Sequence, residues 1–321
     1  MKVVIPVAGL SSRLRPTTHV THKVLMKIAG KPIINHIIDE IEKSIKIDEL
    51  ILILGPMGEQ IMDHMSKNYN FKKSYVYQKE RKGDAHAILQ TEHLIDEPFL
   101  IVYCDTAFKG KIELDPNICG NLFVAETDTP ERFGIVEQKE YVTRIVEKPK
   151  NPKSNLALIG MYHINEPKKL FDAIKEIIKR NINLKGEYYL ADALQLMVEK
   201  GEKFKTFKIE KWLDTGKVET LLETHKEILK DNNKKIETDS KIIEPVYIDD
   251  GVEIENSTIG PYVTINKGAK IKNSIIENSI IDESSLIEDC QLESCIVGKQ
   301  AQLQGFKGRL HVADHSTIES K

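Results

Sequence analysis

From about residue 240 onward, large aliphatic side chains recur every five or six positions: Ile254, Ile259, Ile265, Ile271, Ile276, Ile281, Ile287, Leu292, Val297 and Leu303. Gly, Asn, Asp, Ser and Glu fill the intervals. This is neither the period of a helix nor the two-residue alternation of a half-buried strand. A hexad with one large aliphatic per side predicts a parallel β-helix, each short face pointing one aliphatic into a narrow prism, with about four coils of about 18 residues. Rings do not fit such an interior. Accordingly, of 20 aromatic residues, 17 precede residue 238 and only Tyr247, Tyr262 and Phe306 follow it.

Residues 2 to about 230 follow another rule. Val3 to Val7 reads as a buried strand, and Ile33, Ile34, Ile37, Ile38 and Ile41 recur at helical spacing after Pro32. Leu50–Leu54, Tyr75–Gln78 and Phe99–Cys104 read as further strands, with helical patterns at Gly58–Asn68 and Ala85–Leu94 between them. Such alternation predicts an α/β fold with a doubly wound parallel sheet. Ligands on these sheets bind at the carboxyl ends of strands, which directs attention to the residues after Val7, Gln78 and Cys104. The polar run Lys230–Lys235 reads as a linker, giving expected domains 1–237 and 238–321.

Composition excludes several classes. The 321 residues are 40% apolar and 30% charged, with a net charge of −3. That balance does not suit a protein that coats nucleic acid or an anionic membrane. No apolar run approaches about 18 residues, so no membrane-spanning helix is expected. The start lacks the apolar core of a signal peptide, and the four cysteines form no CxxC or zinc pattern. A cytoplasmic protein with free thiols is expected, Cys290 and Cys295 serving as small buried side chains.

The loop after the first strand runs Ala8-Gly9-Leu10-Ser11-Ser12-Arg13-Leu14-Arg15. Small residues, hydroxyls and guanidinium groups at a strand end can cradle phosphates through backbone N–H groups and bidentate contacts. Neither a Walker sequence nor GxGxxG is present.

With Lys23 and Gly30-Lys31-Pro32-Ile33, this segment resembles the signature of sugar-1-phosphate nucleotidyltransferases. Further motifs follow in that family's order. They are Gln78 with Lys82-Gly83-Asp84-Ala85, Tyr103-Cys104-Asp105, Arg132-Phe133-Gly134, Val146-Glu147-Lys148-Pro149, Gly186-Glu187-Tyr188-Tyr189-Leu190-Ala191-Asp192 and Trp212-Leu213-Asp214-Thr215-Gly216. The layout resembles long-type glucose-1-phosphate thymidylyltransferases and related uridylyltransferases. The resemblance implies a Rossmann-like domain followed by a left-handed β-helix of hexapeptide repeats. It also implies Mg²⁺-dependent transfer of a nucleotidyl group from an NTP, dTTP or UTP favoured, to a hexose 1-phosphate, glucose 1-phosphate favoured. The products are an NDP-sugar and pyrophosphate.

The same resemblance implies residue roles. Arg13 and Lys23 match the catalytic cations. Ala8, Gly9, Leu10, Ser11, Ser12, Gln78, Gly83 and Asp84 match the nucleotide site, with Gln78 reading the base. Gly134, Glu147, Lys148 and Glu187 match the sugar-phosphate site, and Asp105 and Asp214 the Mg²⁺ ligands. A homo-oligomer is expected, with no nucleic-acid or membrane partner. The chain departs from the usual GGxGTR loop by carrying Ser11 where glycine is common, and Asp84 replaces a common threonine. If position 11 needs φ > 0, its side chain costs about 1 kcal/mol. Alternative readings are a non-catalytic regulatory relative, a bifunctional enzyme whose prism transfers acyl groups, and another specificity such as mannose-1-phosphate guanylyltransferase.

Overall fold

A computed structural model describes residues 1–231 and 238–320. They divide into two compact units, Met1–Leu10 with Ile37–Trp212, and Ser11–His36 with Leu213–Lys321. Ser11–His36 groups with the C-terminal coils although the sequence places it beside the first strand. Of the expected linker only Lys230 and Asp231 lie within the described residues.

In chain order the elements up to residue 229 are β1 (Lys2–Val7), the two short strands β2 (Lys27–Ile28) and β3 (Lys31–Pro32), α1 (Ile33–Glu42), β4 (Glu49–Leu54), α2 (Gly58–Asn68), β5 (Lys72–Tyr77) and α3 (Asp84–Leu89). There follow β6 (Phe99–Val102), β7 (Thr106–Lys109), β8 (Gly120–Glu126), β9 (Gly134–Gln138), β10 (Val142–Glu147) and β11 (Leu156–Ile164). Then come α4 (Pro167–Lys179), α5 (Leu190–Glu199), β12 (Phe204–Lys208), β13 (Lys211–Asp214) and α6 (Val218–Leu229).

The first unit is built on one sheet in the order β10-β9-β11-β6-β1-β4-β5, with β8 pairing β11 and β12. Strands β6, β1, β4 and β5 are parallel, and β11 joins β6 in antiparallel register. Both faces of the parallel part are covered, so its strands are apolar without alternation: Leu50 to Leu54 are all fully buried. In α4 the buried Leu170, Phe171, Ala173, Ile174 and Ile177 recur at three- and four-residue spacing. Pro167 takes its first turn, where a missing N–H costs nothing. The 85–94 stretch is not one helix but α3 followed by a 3₁₀ turn at Glu92–Leu94, whereas α1 begins at Ile33, directly after Pro32, as its spacing predicts.

In the second unit the residues from 241 onward wind into three parallel five-stranded sheets, one per face of a prism. This is a left-handed parallel β-helix of five turns, not four, because each turn uses 15 to 17 residues: Thr258 pairs Ile275, Ile275 pairs Gln291, and Gln302 pairs Thr317. Aliphatics stack in columns, Ile259 over Ile276 over Leu292 on one face and Ile254, Ile271, Ile287, Leu303 and Ile318 on another. The fully buried residues of this core include no ring.

The corners explain the polar intervals. Asn256, Asn273 and Asp289, with φ between 45° and 55°, and Gly305 occupy one corner in successive turns. These residue types tolerate the left-handed region best. The Asn256 amide donates to Asn273 Oδ1 (2.9 Å) and the Asn273 amide to Asp289 Oδ1 (3.0 Å). The next rung explains a cysteine. Ser257 Oγ accepts from Ser274 N–H, and Ser274 Oγ from Cys290 N–H, each at 3.0 Å. Cys290 thus occupies a place that admits only a small side chain. All four cysteines are free and buried.

Candidate active site

In the first unit, the parallel register brings the ends of three strands to one edge of the sheet. Val7 lies beside Leu54, and Leu54 beside Tyr77. Beyond these ends lie Ala8 and Gly9, Gly55, and Gln78. Gly55 has no room for a side chain, since a Cβ there would meet Ala8 O at 2.5 Å. The same edge of β6 leads into the turn Tyr103–Asp105, closed by the Thr106 N–H to Tyr103 O bond (3.0 Å). Ala8, Gly9, Gln78 and Asp105 therefore all sit where an α/β sheet binds ligands.

Gln78 is buried, its backbone N–H on Leu54 O and its side-chain amide on Gly83 O (2.9 Å each). Gly83 has φ of 98°, and a Cβ there would lie 2.3 Å from Tyr188 O. Its missing side chain admits the backbone of Tyr188. Asp84 is likewise occupied from within. Oδ2 accepts from the Tyr103 hydroxyl (2.6 Å), and Oδ1 from the N–H groups of Ala85 (2.7 Å) and Leu190 (2.8 Å). These bonds tie the start of α3 to the start of α5. Burial pushes the Asp84 carboxyl upward, while those three donors pull it back.

The four residues expected around the sugar phosphate come together at the end of β10. Gly134 pairs Glu147 across the β9–β10 ladder. A Cβ on Gly134 would meet Glu147 Oε2 at 3.0 Å, so glycine there leaves room for that carboxylate. Lys148 adopts φ of 46°, a left-handed conformation unusual for lysine. Such strain persists only where the surroundings hold it, and it gathers at functional sites. Here the Lys148 N–H bonds Phe133 O (3.0 Å). The ammonium meets Glu147 Oε1 at 2.9 Å and lies 4.2 Å above the Tyr189 ring, whose hydroxyl donates to Glu187 Oε2 (2.6 Å). Burial raises the Glu147 carboxyl against the pull of Lys148. For Lys148 burial acts downward, yet the bond to Glu147 and its charge win, and the ammonium is raised.

Two neighbours escaped the sequence reading, although the Gly186–Asp192 motif contains both. Tyr189 provides the ring beneath Lys148. The Asp192 carboxyl is pushed to about 6 by burial and then by the charge of Asp84. A carboxylate one turn into α5 reads in sequence as an ordinary first-turn acid, so nothing marked it.

In the second unit, Ser11 has φ 53° and ψ 31°. The condition attached to the serine is met: the position is left-handed, and its buried hydroxyl has no hydrogen-bond partner. Ser12 and Arg13 begin a 3₁₀ turn on the surface. The Arg13 guanidinium comes to Gly216: a Cβ there would lie 3.2 Å from Nη2 and 2.9 Å from Asp214 Oδ1, which accepts the Gly216 N–H (2.8 Å). Arg13 and Asp214 thus meet over a glycine that sequence reasoning did not single out. Lys23 is 8% exposed and opens a second 3₁₀ turn, where His22 Nδ1 accepts the Val24 N–H (3.3 Å).

Asp105 and Asp214 offer the hard oxygen donors that Mg²⁺ prefers. Among the described residues no three His, Cys, Asp or Glu side chains converge into a metal cage. One or two carboxylates, with substrate phosphates and water completing the shell, is the usual Mg²⁺ arrangement. Asp105 in the first unit and Asp214 in the second each suit that ion as a donor. No helix among the described residues is long and apolar enough to cross a membrane.

Comparison with known proteins adds the following. The family model described as Nucleotidyl transferase matches residues 2–231. The bifunctional protein GlmU of Methanocaldococcus jannaschii is 35% identical over 81% of this chain and 61% of its own length, so the chain spans about three fifths of that relative. The low-salt glycan biosynthesis nucleotidyltransferase Agl11 of Haloferax volcanii is 31% identical over 86% of this chain and 87% of its own. A solved putative glucose-1-phosphate thymidylyltransferase from Bacillus anthracis superposes with a TM-score of 0.62 at 26% identity, covering 74% of this chain and 98% of that one.

Proposed function

The chain belongs to the nucleotidyl transferase family, and from that premise we propose that it makes a nucleotide sugar from an NTP and a sugar 1-phosphate. The observation that carries this reading is the strained Lys148, an ammonium held at a fixed point between Glu147 and the Tyr189 ring. A cation with carboxylates on either side suits a ligand bearing both a phosphate and hydroxyl groups. Lys148 takes the phosphate, and Glu147 and Glu187 accept from sugar hydroxyls beside the open Gly134.

In the reaction a sugar-phosphate oxygen attacks the α-phosphorus of the NTP. A new P–O bond forms, the bond to the β-phosphate oxygen breaks, and pyrophosphate departs with the electron pair. The nucleophile is already an anion, so no general base is required. Catalysis rests on in-line positioning and on neutralising crowded charge. Lys148 orients the attacking phosphate, Arg13 and Lys23 offset the charge of the triphosphate, and the strand-end loop Ala8–Ser12 cradles it. Gln78 lies on the base side, where an amide can both donate to and accept from a pyrimidine edge. Asp105 and Asp214 would hold Mg²⁺, which supplies charge neutralisation when bound. Asp84, which accepts from three internal donors, fixes the start of α3 at the nucleotide site.

Relatives named for glucose 1-phosphate with UTP in Haloferax volcanii and with dTTP in Streptomyces griseus support glucose 1-phosphate as sugar and dTTP or UTP as nucleotide. The test is a matrix of dTTP, UTP, CTP, ATP and GTP against the 1-phosphates of glucose, galactose, mannose and N-acetylglucosamine, with Mg²⁺. Pyrophosphate release is expected first with glucose 1-phosphate and dTTP or UTP. A silent matrix overturns the enzyme reading; turnover only with GTP and mannose 1-phosphate overturns the proposed specificity.

A further inference from the structure

The segment that carries Lys23 is fastened to the prism on both sides of that lysine. Two residues before it, the Thr21 hydroxyl donates to Asp314 Oδ2 at 2.8 Å. Four residues after it, Lys27 Nζ pairs with Glu283 Oε1 at 2.5 Å. Beyond Lys27, β2 and β3 form a hairpin whose tip, Ala29-Gly30, has φ of 47° and 80°. Positive φ at both central residues is the geometry of a tight hairpin turn, and alanine enters it at a cost of about 1 kcal/mol. The prism holds it there. The Ala29 N–H donates to Thr264 Oγ1 at 3.1 Å, and a Cβ on Gly30 would strike the Tyr247 ring at 2.1 Å.

All four anchors belong to one prism face or its corners. Tyr247 and Thr264 sit on neighbouring strands of the face, in register with each other. Glu283 follows the third strand and Asp314 the last. The acids are themselves braced. Glu283 Oε2 pairs with Lys299 Nζ (3.2 Å), and Asp314 Oδ1 accepts the Lys299 N–H (2.9 Å). Sequence order gave no hint of this, since Lys27 and Glu283 lie 256 residues apart.

We infer that this prism face is a template that sets the position of Lys23, and that Glu283 and Asp314 are positioning residues for nucleotidyl transfer. The prism then has a task in the reaction without offering a group to the substrate. The inference rests on the role given to Lys23 above. Displacing a reacting group by about 1 Å can cost about 100-fold in rate, so loosening two anchors matters far more to turnover than to stability.

The test compares full-length wild type with Glu283→Gln, Asp314→Asn and the conservative Glu283→Asp. Two quantities are read: steady-state kinetics on the best pair from the substrate matrix, and amide exchange of residues 21–30. Exchange at Ala29 needs no activity, so it tests the anchoring even if the wild type turns over nothing. The expected result has three parts. Glu283→Gln and Asp314→Asn each exchange faster in 21–30. Their kcat falls about tenfold or more with KM for the sugar phosphate within about twofold. Glu283→Asp, which keeps the negative charge between Lys27 and Lys299, stays closest to wild type in both quantities. Unchanged exchange in Glu283→Gln and Asp314→Asn overturns the inference. So does faster exchange with an unaltered kcat in an active enzyme, which would leave the face a purely structural support. An inactive wild type with faster exchange in the variants instead sinks the functional reading while the anchoring stands.

Discussion

At the scale of single residues, three side chains occupy conformations or surroundings that ordinarily cost free energy. Ser11 is left-handed with a buried, unbonded hydroxyl. Replacing it with glycine removes both penalties and adds some unfolded-state entropy, so Ser11→Gly should stabilise the chain by about 1 kcal/mol. Denaturant unfolding checks this, and a less stable variant would show that the hydroxyl has a use. Lys148 shows the same strain, but there the ion pair to Glu147 and the ring of Tyr189 give the reason. Asp192 is the third. Its carboxyl titrates near 6 in the folded chain against a reference near 3.8, so the native state binds the extra proton. Stability contributed by that proton is present below about pH 4 and is lost as pH rises through about 6. Asp192→Asn should therefore unfold at higher denaturant than wild type at pH 7.5, by about 1 kcal/mol after allowing for partial exposure to water. The gap should shrink as pH falls through about 6 and close below about pH 4; a gap independent of pH refutes the assignment.

At the scale of elements, legibility follows how local the cause is. The buried strands β1 and β4 and the helix α2 were plain in the sequence because continuous apolar runs and helical spacing are properties of a few adjacent residues. The hexads were plainer still, since every turn of the prism repeats the demand for one aliphatic per face. The number of turns exceeds the expected four because 18 residues per turn is too many, and this chain saves one to three at the corners. The site was readable as a set of motifs but not as contacts. Nothing local says that Asp84 spends its oxygens on Tyr103, Ala85 and Leu190, or that Gly83 makes way for Tyr188. Those depend on elements brought together across about a hundred residues, as with Asp84 and Leu190. The prism columns carry their own prediction. Ile276 is fully buried, stacked between Ile259 and Leu292. Ile276→Ala should cost about 3 kcal/mol, whereas truncation of the exposed Ile275 should cost little. Equal losses in thermal or denaturant unfolding would refute the inward–outward assignment.

At the scale of the whole molecule, the uneven spread of rings now has a structural cause. The sheet unit fills broad layers with Phe99, Phe123, Phe171 and Phe204, all nearly or fully buried, while the prism core holds aliphatics and small residues. The net charge of −3 is as uninformative about the site as a global sum must be, because Arg13, Lys23 and Lys148 are placed individually. What the linear order concealed is the allegiance of Ser11–His36. It follows the first strand in sequence but is anchored by the C-terminal coils, which makes the prism part of how the stretch from Thr21 to Ala29 is held.

The central claim is transfer of a nucleotidyl group to a sugar phosphate by charges this chain holds in place. Phosphorus NMR of a reaction containing Mg²⁺, glucose 1-phosphate and dTTP or UTP tests it most directly. The prediction is one NDP-sugar formed for each pyrophosphate released, with the rate lowered by orders of magnitude in Asp105→Asn and in Lys148→Ala. Pyrophosphate or phosphate released without a matching NDP-sugar, or rates untouched by both substitutions, would contradict it.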